Sequence, residues 1–379
     1  MKTALPPLSL YIHIPWCIQK CPYCDFNSHA AKGELPESRY ISTLLEDLRR
    51  DIERFEIDRE INSIFIGGGT PSLFSSDSIA TLLAGVAEQL PLKKNAEITL
   101  EANPSTFESD KFKEFKEAGI NRLSIGVQSF HNEHLKKLGR IHNATEAFKA
   151  AEIAHCVGFD NFNLDLMFGL PQQTKQQALA DIKNAIALAP SHISFYQLTL
   201  EPNTYFHKFP PALPKDELIF SIQQHCQQLL RQDEFKQYEV SAYAKAGSQC
   251  QHNLNYWQFG DYLGIGAGAH GKISLAVPNK IYRTAKAKNP QTYLAMTDSI
   301  TEQIKPEEIP LEFMMNQLRL RQGFSINHYQ KVTGLQAASL EPALSSAVAN
   351  GLLTHQQSRF FCSEKGWNFL DSVLGKFII

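Results

Sequence analysis

Six short apolar runs recur through the first half of the chain, at 8–14, 61–66, 97–101, 122–127, 161–167 and 192–198. Several are nearly continuous in β-branched or aromatic residues, the pattern of strands covered on both faces. Between them lie amphipathic stretches at 39–55, 77–89, 108–118, 145–156 and 175–188. In the first of these, Leu44, Leu45, Leu48 and Ile52 fall at helical spacing. Strand and helix in alternation imply parallel strands joined by right-handed crossovers. The pattern therefore predicts an α/β fold built as a partial (β/α)6 barrel, although a doubly wound flat sheet satisfies the same periodicity. Distinctive residues fall at or just after the strand C-terminal ends, where parallel α/β folds build their sites, and this favours the barrel.

The alternation breaks near residue 202. Glu201-Pro-Asn-Thr and Phe209-Pro-Pro-Ala-Leu-Pro predict a surface loop at the barrel mouth, followed by a helix at 216–232. Beyond about residue 305 helices are expected at 311–320, 325–332 and 335–349. A turn at 355–358, a short strand at 359–362 and a last helix near 367–376 complete the chain. Helices followed by a hairpin predict a smaller, mainly helical, winged-helix-like C-terminal domain. The expected division is a barrel at 1–214, an extension at 215–304 and the C-terminal domain at 305–379. Winged helices often bind nucleic acid, but this segment lacks a dense basic patch, so packing or protein contact is expected and nucleic acid is not.

Composition narrows the picture only a little. The 379 residues are 43% hydrophobic and 20% charged, ordinary for a soluble globular protein with a substantial core. A net charge of −2 exerts no global pull toward nucleic acid or anionic membranes. There is no long uncharged apolar run, and the first residues lack the apolar core and cleavage site of a signal peptide. Seven cysteines, three of them clustered, point to a reducing cytoplasm. Cys156, Cys226, Cys250 and Cys362 are scattered and read mostly as small apolar core groups.

The clustered three carry the chemistry. Cys17, Cys21 and Cys24 follow the first strand with the spacing C-x3-C-x2-C. Iron–sulfur clusters are normally held by four cysteine thiolates, so three on one loop leave one iron of a [4Fe–4S] cluster open. An open position is what separates a working metal site from a closed structural one. Zinc with His13 or His29 as fourth ligand fits the same residues and stays open at this point.

C-x3-C-x2-C after an apolar strand resembles the signature of the radical S-adenosylmethionine superfamily. There the open iron is chelated by the amino and carboxylate groups of S-adenosylmethionine, and one electron from the cluster yields a 5′-deoxyadenosyl radical. A glycine-rich motif after the second strand, here Gly67-Gly68-Gly69-Thr70-Pro71, binds the cofactor's amino group in that superfamily. The chain is similar to the branch that contains oxygen-independent coproporphyrinogen III oxidases and HemW-type haem chaperones. That resemblance implies cofactor contacts at Tyr11, Tyr23, Gly68, Gly69, Thr70, Glu101, Gln128, Arg140, Asp165 and, less directly, Thr199. Asp165 sits in an otherwise apolar strand, and a buried carboxylate needs a partner, for which Arg140 or a ligand is expected.

Three features separate the chaperones from the oxidases. Phe26 stands where the oxidases carry a further cysteine, Cys17 lies near the start, and His252-Asn253-Leu254-Asn255-Tyr256-Trp257 matches the chaperones' His-Asn-Leu-x-Tyr-Trp motif. The resemblance implies His252 as a haem ligand with Tyr256 and Trp257 packing on the macrocycle, and His270 is a second candidate. Gly266-Ala-Gly-Ala-His-Gly matches a dinucleotide fingerprint but lacks its strand–helix setting and acidic partner, and reads as a turn. The expectation is a cytoplasmic haem chaperone with no catalytic residue assigned. It would pass haem to an unidentified acceptor protein, and a membrane-associated acceptor and a homodimer are both compatible with it. The alternative is radical oxidative decarboxylation of coproporphyrinogen III.

Overall fold

The computed structural model describes residues 5–106, 109–276, 280–296 and 299–378. Six parallel strands run in chain order: β1 (Leu8–Ile14), β2 (Ile61–Gly68), β3 (Leu92–Ala102), β4 (Arg122–Gln128), β5 (Phe162–Phe168) and β6 (His192–Gln197). The crossover helices are α1 (Glu37–Phe55), α2 (Ser76–Gln89), α3 (Ser109–Glu117), α4 (Ala144–Cys156) and α5 (Lys175–Ala187). Residue 108, where a helix start was expected, lies outside the described residues. Capping residues fix several helix starts. Ser75 accepts from the Ser78 N–H, while Asn143 with Glu146 and Thr174 with Gln177 form reciprocal capping boxes. The buried face of α1 carries Tyr40, Ile41, Leu44 and Leu48, which explains its length.

The sheet does not stop at six strands. After α6 (Asp216–Gln232) come β7 (Lys236–Glu239) and β8 (Ala242–Ala244); β8 pairs antiparallel with the β6 edge, and β7 antiparallel with β8. A short helix, α7 (Gln251–Trp257), leads to β9 (Asp261–Ile265), which pairs parallel to β1. Strands β10 (His270–Ser274), β11 (Ile281–Ala285) and β12 (Ile300–Gln303) continue that edge antiparallel. Residues 236–303 therefore extend both edges of one twelve-stranded sheet.

Strand alternation sorts the side chains. Leu10, Ile12, Ile64, Ile66, Leu100, Leu123, Ile125, Leu164, Leu166 and Ile193 pack with the helices in the main core. Their neighbours in the strands, Ser9, Tyr11, Ser63, Glu97, Arg122, Asn163, Asp165 and His192, form a polar network instead: Ser9 bonds Ser63, and Asn163 bonds His192 and Asp165. The runs read as almost continuously apolar are thus apolar on one face and polar on the face turned into the barrel.

The C-terminal domain has its own core around Phe313, Tyr329, Leu344 and Leu353, joined to Phe259 and Ile281 of the barrel extension. Its helices span Ile309–Gln317, Ile326–Thr333 and Ala343–Ala349, and its three-stranded wing pairs Phe324–Ser325, Arg359–Cys362 and Leu353–Gln356. The single helix expected at 335–349 is two pieces, a 3-10 turn at Ala337–Leu340 and the helix after Pro342, because proline cannot continue an i→i−4 ladder. The last expected helix is likewise split, into Glu364–Asn368 and Leu370–Leu374.

One buried ion pair anchors the added strands. Asp261, at the start of β9, is fully buried and accepts from Lys272 Nζ at 2.8 Å, Arg59 at 2.9 Å and the Ser274 N–H at 3.0 Å. Removing one member of a buried pair leaves an uncompensated charge, so Asp261→Asn should lower stability by about 3–5 kcal/mol in chemical denaturation. A loss within the range of a surface substitution would show that Lys272 finds other compensation.

Candidate functional site

The cysteine loop begins where β1 ends. A two-residue bridge pairs Trp16–Cys17 with His29–Ala30 and closes the loop at its base. Asn27 fastens its far side: its Nδ2 donates to Ala267 O and Lys288 O, each at 2.8 Å, and its own carbonyl bonds His13 Nε2 at 2.9 Å. Cys17, Cys21 and Cys24 are free, half-buried thiols. They line one cavity together with Tyr23, Gly68, Gly69, Thr70, Glu101, Gln128, Arg140 and Asp165. Eleven residues separated widely in sequence, all singled out from it, therefore meet at the C-terminal end of the barrel. Two others do not. Tyr11 lies on the far side of the loop in a second cavity, and Thr199 is exposed and lines neither. Asn103, Ser124, Gly126 and Tyr196 also line it and were missed. Asn103 follows Glu101 at a strand end, and Ser124 and Tyr196 fall in alternation on inward faces, so the period-2 pattern was the signal.

Glycine is required at two lining positions. Gly68 has φ +114°, and a Cβ there would lie 2.5 Å from the His13 ring. A Cβ on Gly69 would lie 2.4 Å from Trp16 O. The turn is held by Gly69 N–H to Ile14 O at 2.8 Å and Thr70 N–H to Trp16 O at 2.7 Å. Gln128 takes a left-handed φ of +67° and accepts from the Tyr196 hydroxyl at 2.7 Å.

The expected Arg140–Asp165 pair does not form. Arg140 instead donates to Gly126 O at 2.8 Å, to Asn103 Oδ1, and to Cys21 Sγ at 3.7 Å. Asp165 is served by Asn163 Nδ2 at 2.8 Å and Ser124 Oγ at 3.1 Å. The guanidinium is thus directed at the cysteine loop and not at Asp165. Among the described residues, Glu101 receives only the Gly68 N–H, at 3.0 Å. Burial, and then the charge of Asp165, pushes its carboxyl up to about 8, and burial raises Asp165 as well.

The donor set fits a cluster better than zinc. His13, a candidate fourth zinc ligand, has both ring nitrogens engaged, by Tyr11 and by the Asn27 carbonyl. His29 is held by Asn27 Oδ1 at 3.3 Å. Three thiols on one loop, an adjacent guanidinium and a glycine cradle suit a cluster that spreads its thiolates over separate irons. The paired carboxyls and exposed backbone groups beside them suit a cationic, hydroxyl-bearing ligand such as S-adenosylmethionine.

The His-Asn-Leu-Asn-Tyr-Trp motif forms α7 beneath the barrel. Glu97, in the first half of β3, accepts from the Gln251 and His252 N–H groups at 3.0 and 3.1 Å and from the Cys250 thiol at 3.3 Å. His252 is buried, with Nδ1 on Ser63 Oγ at 3.0 Å and Nε2 on Tyr256 OH at 2.8 Å. Both its nitrogens are occupied, so as placed here it offers iron no lone pair. Trp257 turns away from Tyr256 and stacks under Arg319 at 4.3 Å. Of the three motif residues Tyr256 lines an open cavity, and His270, the further candidate, lines the same one.

A parallel partial barrel with three cysteines on the loop after its first strand defines a radical S-adenosylmethionine protein. Residues 11–185 match the Radical SAM superfamily and residues 304–369 match the HemN C-terminal domain. A protein of Escherichia coli K12 named Heme chaperone HemW is 50% identical over 375 residues, covering 99% of each chain. A protein of the same name from Bacillus subtilis is 34% identical, covering 98% of this chain and 99% of its own. The solved structure of the Escherichia coli coproporphyrinogen III oxidase HemN, a radical SAM enzyme, has a TM-score of 0.82 at 21% identity, over 98% of this chain and 90% of that one. That likeness is one of fold. The chain belongs to the HemW family of the radical SAM superfamily. The superfamily implies a [4Fe–4S] cluster and S-adenosylmethionine.

The raised Glu101 carboxyl has a thermodynamic consequence. Its folded value of about 8 exceeds the ordinary 4.5, so the folded protein pays no penalty below pH 4.5 and a growing one up to pH 8. In cluster-free protein, Glu101→Gln should therefore gain stability relative to the unsubstituted chain as pH rises from about 5 to about 9. Thermal melts across that range test this; a difference independent of pH would show that Glu101 is not desolvated.

Proposed function

We propose that the protein is a haem chaperone: it binds haem, holds a [4Fe–4S] cluster on Cys17, Cys21 and Cys24, binds S-adenosylmethionine in the adjoining cavity, and passes haem to an acceptor protein. The observation that carries this reading is full-length identity of 50% to a protein named Heme chaperone HemW, together with a large open cavity against the cysteine loop. The cluster, when bound, supplies single electrons. The chain's own groups do the rest. Arg140 steadies Cys21, the Gly68–Thr70 turn exposes a backbone edge to the cofactor, and Tyr23, Gln128, Glu101 and Asp165 wall its seat.

No helix among the described residues is long and apolar enough to cross a membrane. A cytoplasmic location, a homodimer and a haem acceptor that is itself membrane-associated belong to the same reading. The second reading, coproporphyrinogen III oxidation, rests on the cavity that joins the three cysteines to eight of the expected cofactor residues.

One anaerobic preparation separates the two. After reconstitution with iron and sulfide, haem is titrated by absorption spectroscopy and coproporphyrinogen III turnover is followed with S-adenosylmethionine and a reductant. Stoichiometric haem binding without turnover is expected. Turnover without tight haem binding would sink the chaperone reading. Cys21→Ala should lose most of the bound iron and sulfide while keeping its fold by circular dichroism; full iron content in that variant would remove Cys21 from the cluster.

A further inference from the structure

A cavity of about 610 Å³ opens on the side of the cysteine loop away from the S-adenosylmethionine seat. That is within the range of about 300–1,000 Å³ usual for small-molecule and cofactor sites. Cys24 and Phe26 line both cavities, so they form the wall between them. Tyr11, Tyr256 and Tyr262 give the far wall its aromatic surface, with the Tyr256 and Tyr262 rings in edge contact at 4.4 Å. Phe26 is 62% exposed on the near side, an apolar ring without apolar cover.

Two histidines line this cavity, His13 and His270. His13 is buried and has both nitrogens bonded. His270, at the start of β10, is exposed, and among the described residues its ring meets no side-chain hydrogen-bond or ion-pair partner. Burial of part of the ring and the charges of Lys288 and Arg283 lower its proton affinity, which favours the neutral, metal-binding imidazole. Lys20 and Lys288 stand exposed on the rim, against one carboxylate, Asp25.

We infer that this cavity is the haem seat, that His270 rather than His252 is the axial ligand to the haem iron, and that Lys20 and Lys288 pair with the propionates. The assignment rests on the haem-chaperone reading and deepens it. A flat apolar macrocycle with two carboxylates and an iron that accepts an imidazole matches an aromatic-walled cavity with a free imidazole and two rim cations. His252 then acts one step removed: its ring holds the Tyr256 hydroxyl and so fixes the aromatic wall.

The test uses the full-length, cluster-reconstituted protein and ferric haem. His270→Ala should shift the Soret band and change the iron spin state seen by electron paramagnetic resonance, and added imidazole should restore both. Changes to groups around a metal ligand alone cost about 10–100-fold in affinity, so loss of the ligand should weaken binding by about tenfold or more. His252→Gln, judged folded by its thermal melt, should keep the Soret position. The Lys20→Ala/Lys288→Ala pair should bind haem more weakly with an unshifted Soret band, and should lose the preference for haem over its dimethyl ester. An unchanged spectrum and affinity in His270→Ala, with the unsubstituted protein binding haem normally, would overturn the ligand assignment and leave the chaperone reading standing. Failure of the unsubstituted protein to bind haem at all would overturn both.

Discussion

The barrel interior is polar, and everything around it answers to that constraint. Glu97, Glu101, Arg122, Asn163, Asp165 and His192 all point inward from strands whose other faces are packed with aliphatic side chains. Buried ionisable groups are costly unless paired or hydrogen-bonded. The six-strand barrel cannot supply all the partners. Residues beyond it do: the Tyr238 hydroxyl meets His192 at 2.9 Å, and the start of α7 covers Glu97 with two N–H groups and a thiol. The added strands and the motif helix are therefore part of the barrel's own electrostatics, which is why they join its sheet and do not hang from its edge.

At the top of the same interior the compensation is left incomplete. Glu101 keeps a single hydrogen bond, and Asp165 stands near enough to raise it further. Strained or under-compensated groups persist where surrounding structure holds them, and they cluster at functional sites. Here the holding is done by the Gly68–Thr70 turn, by Asn103 bonded to both Thr70 and Arg140, and by Asn27, which ties the cysteine loop to the turn between β9 and β10. A ligand that brings positive charge and hydroxyl donors completes what the fold leaves open.

Much of this was legible in the sequence, for a physical reason. Strands β1 to β6 were readable to within a few residues, apart from an earlier start of β3, because covered strands concentrate β-branched and aromatic residues between turn signals. Eleven of the residues marked by the resemblance share one cavity because strand ends and their loops carry them. Two things were not readable. The parallel pairing of β9 with β1 joins segments about 250 residues apart, and no local pattern records such a pairing. The polar alternation was masked because Tyr11, Phe65 and Tyr196 count as apolar or aromatic while facing inward with polar neighbours. The break at Pro342 was readable and was passed over, since the flanking leucines keep helical spacing across it.

The His252–Trp257 motif is sorted by helix geometry onto different faces. Residues four apart on a helix share a face, and residues one apart do not. His252 and Tyr256 accordingly point together into the barrel, while Trp257 points outward to Arg319 and the C-terminal side. Burial, then the nearby Arg122 charge, drives the His252 imidazole down to about 3, so it is neutral throughout the physiological range. A neutral ring bonded at both nitrogens is a rigid spacer between Ser63 on β2 and the Tyr256 hydroxyl. Ser63 is in turn bonded to Ser9 on β1. The histidine thus carries the register of two barrel strands into the position of one tyrosine ring on the cavity wall.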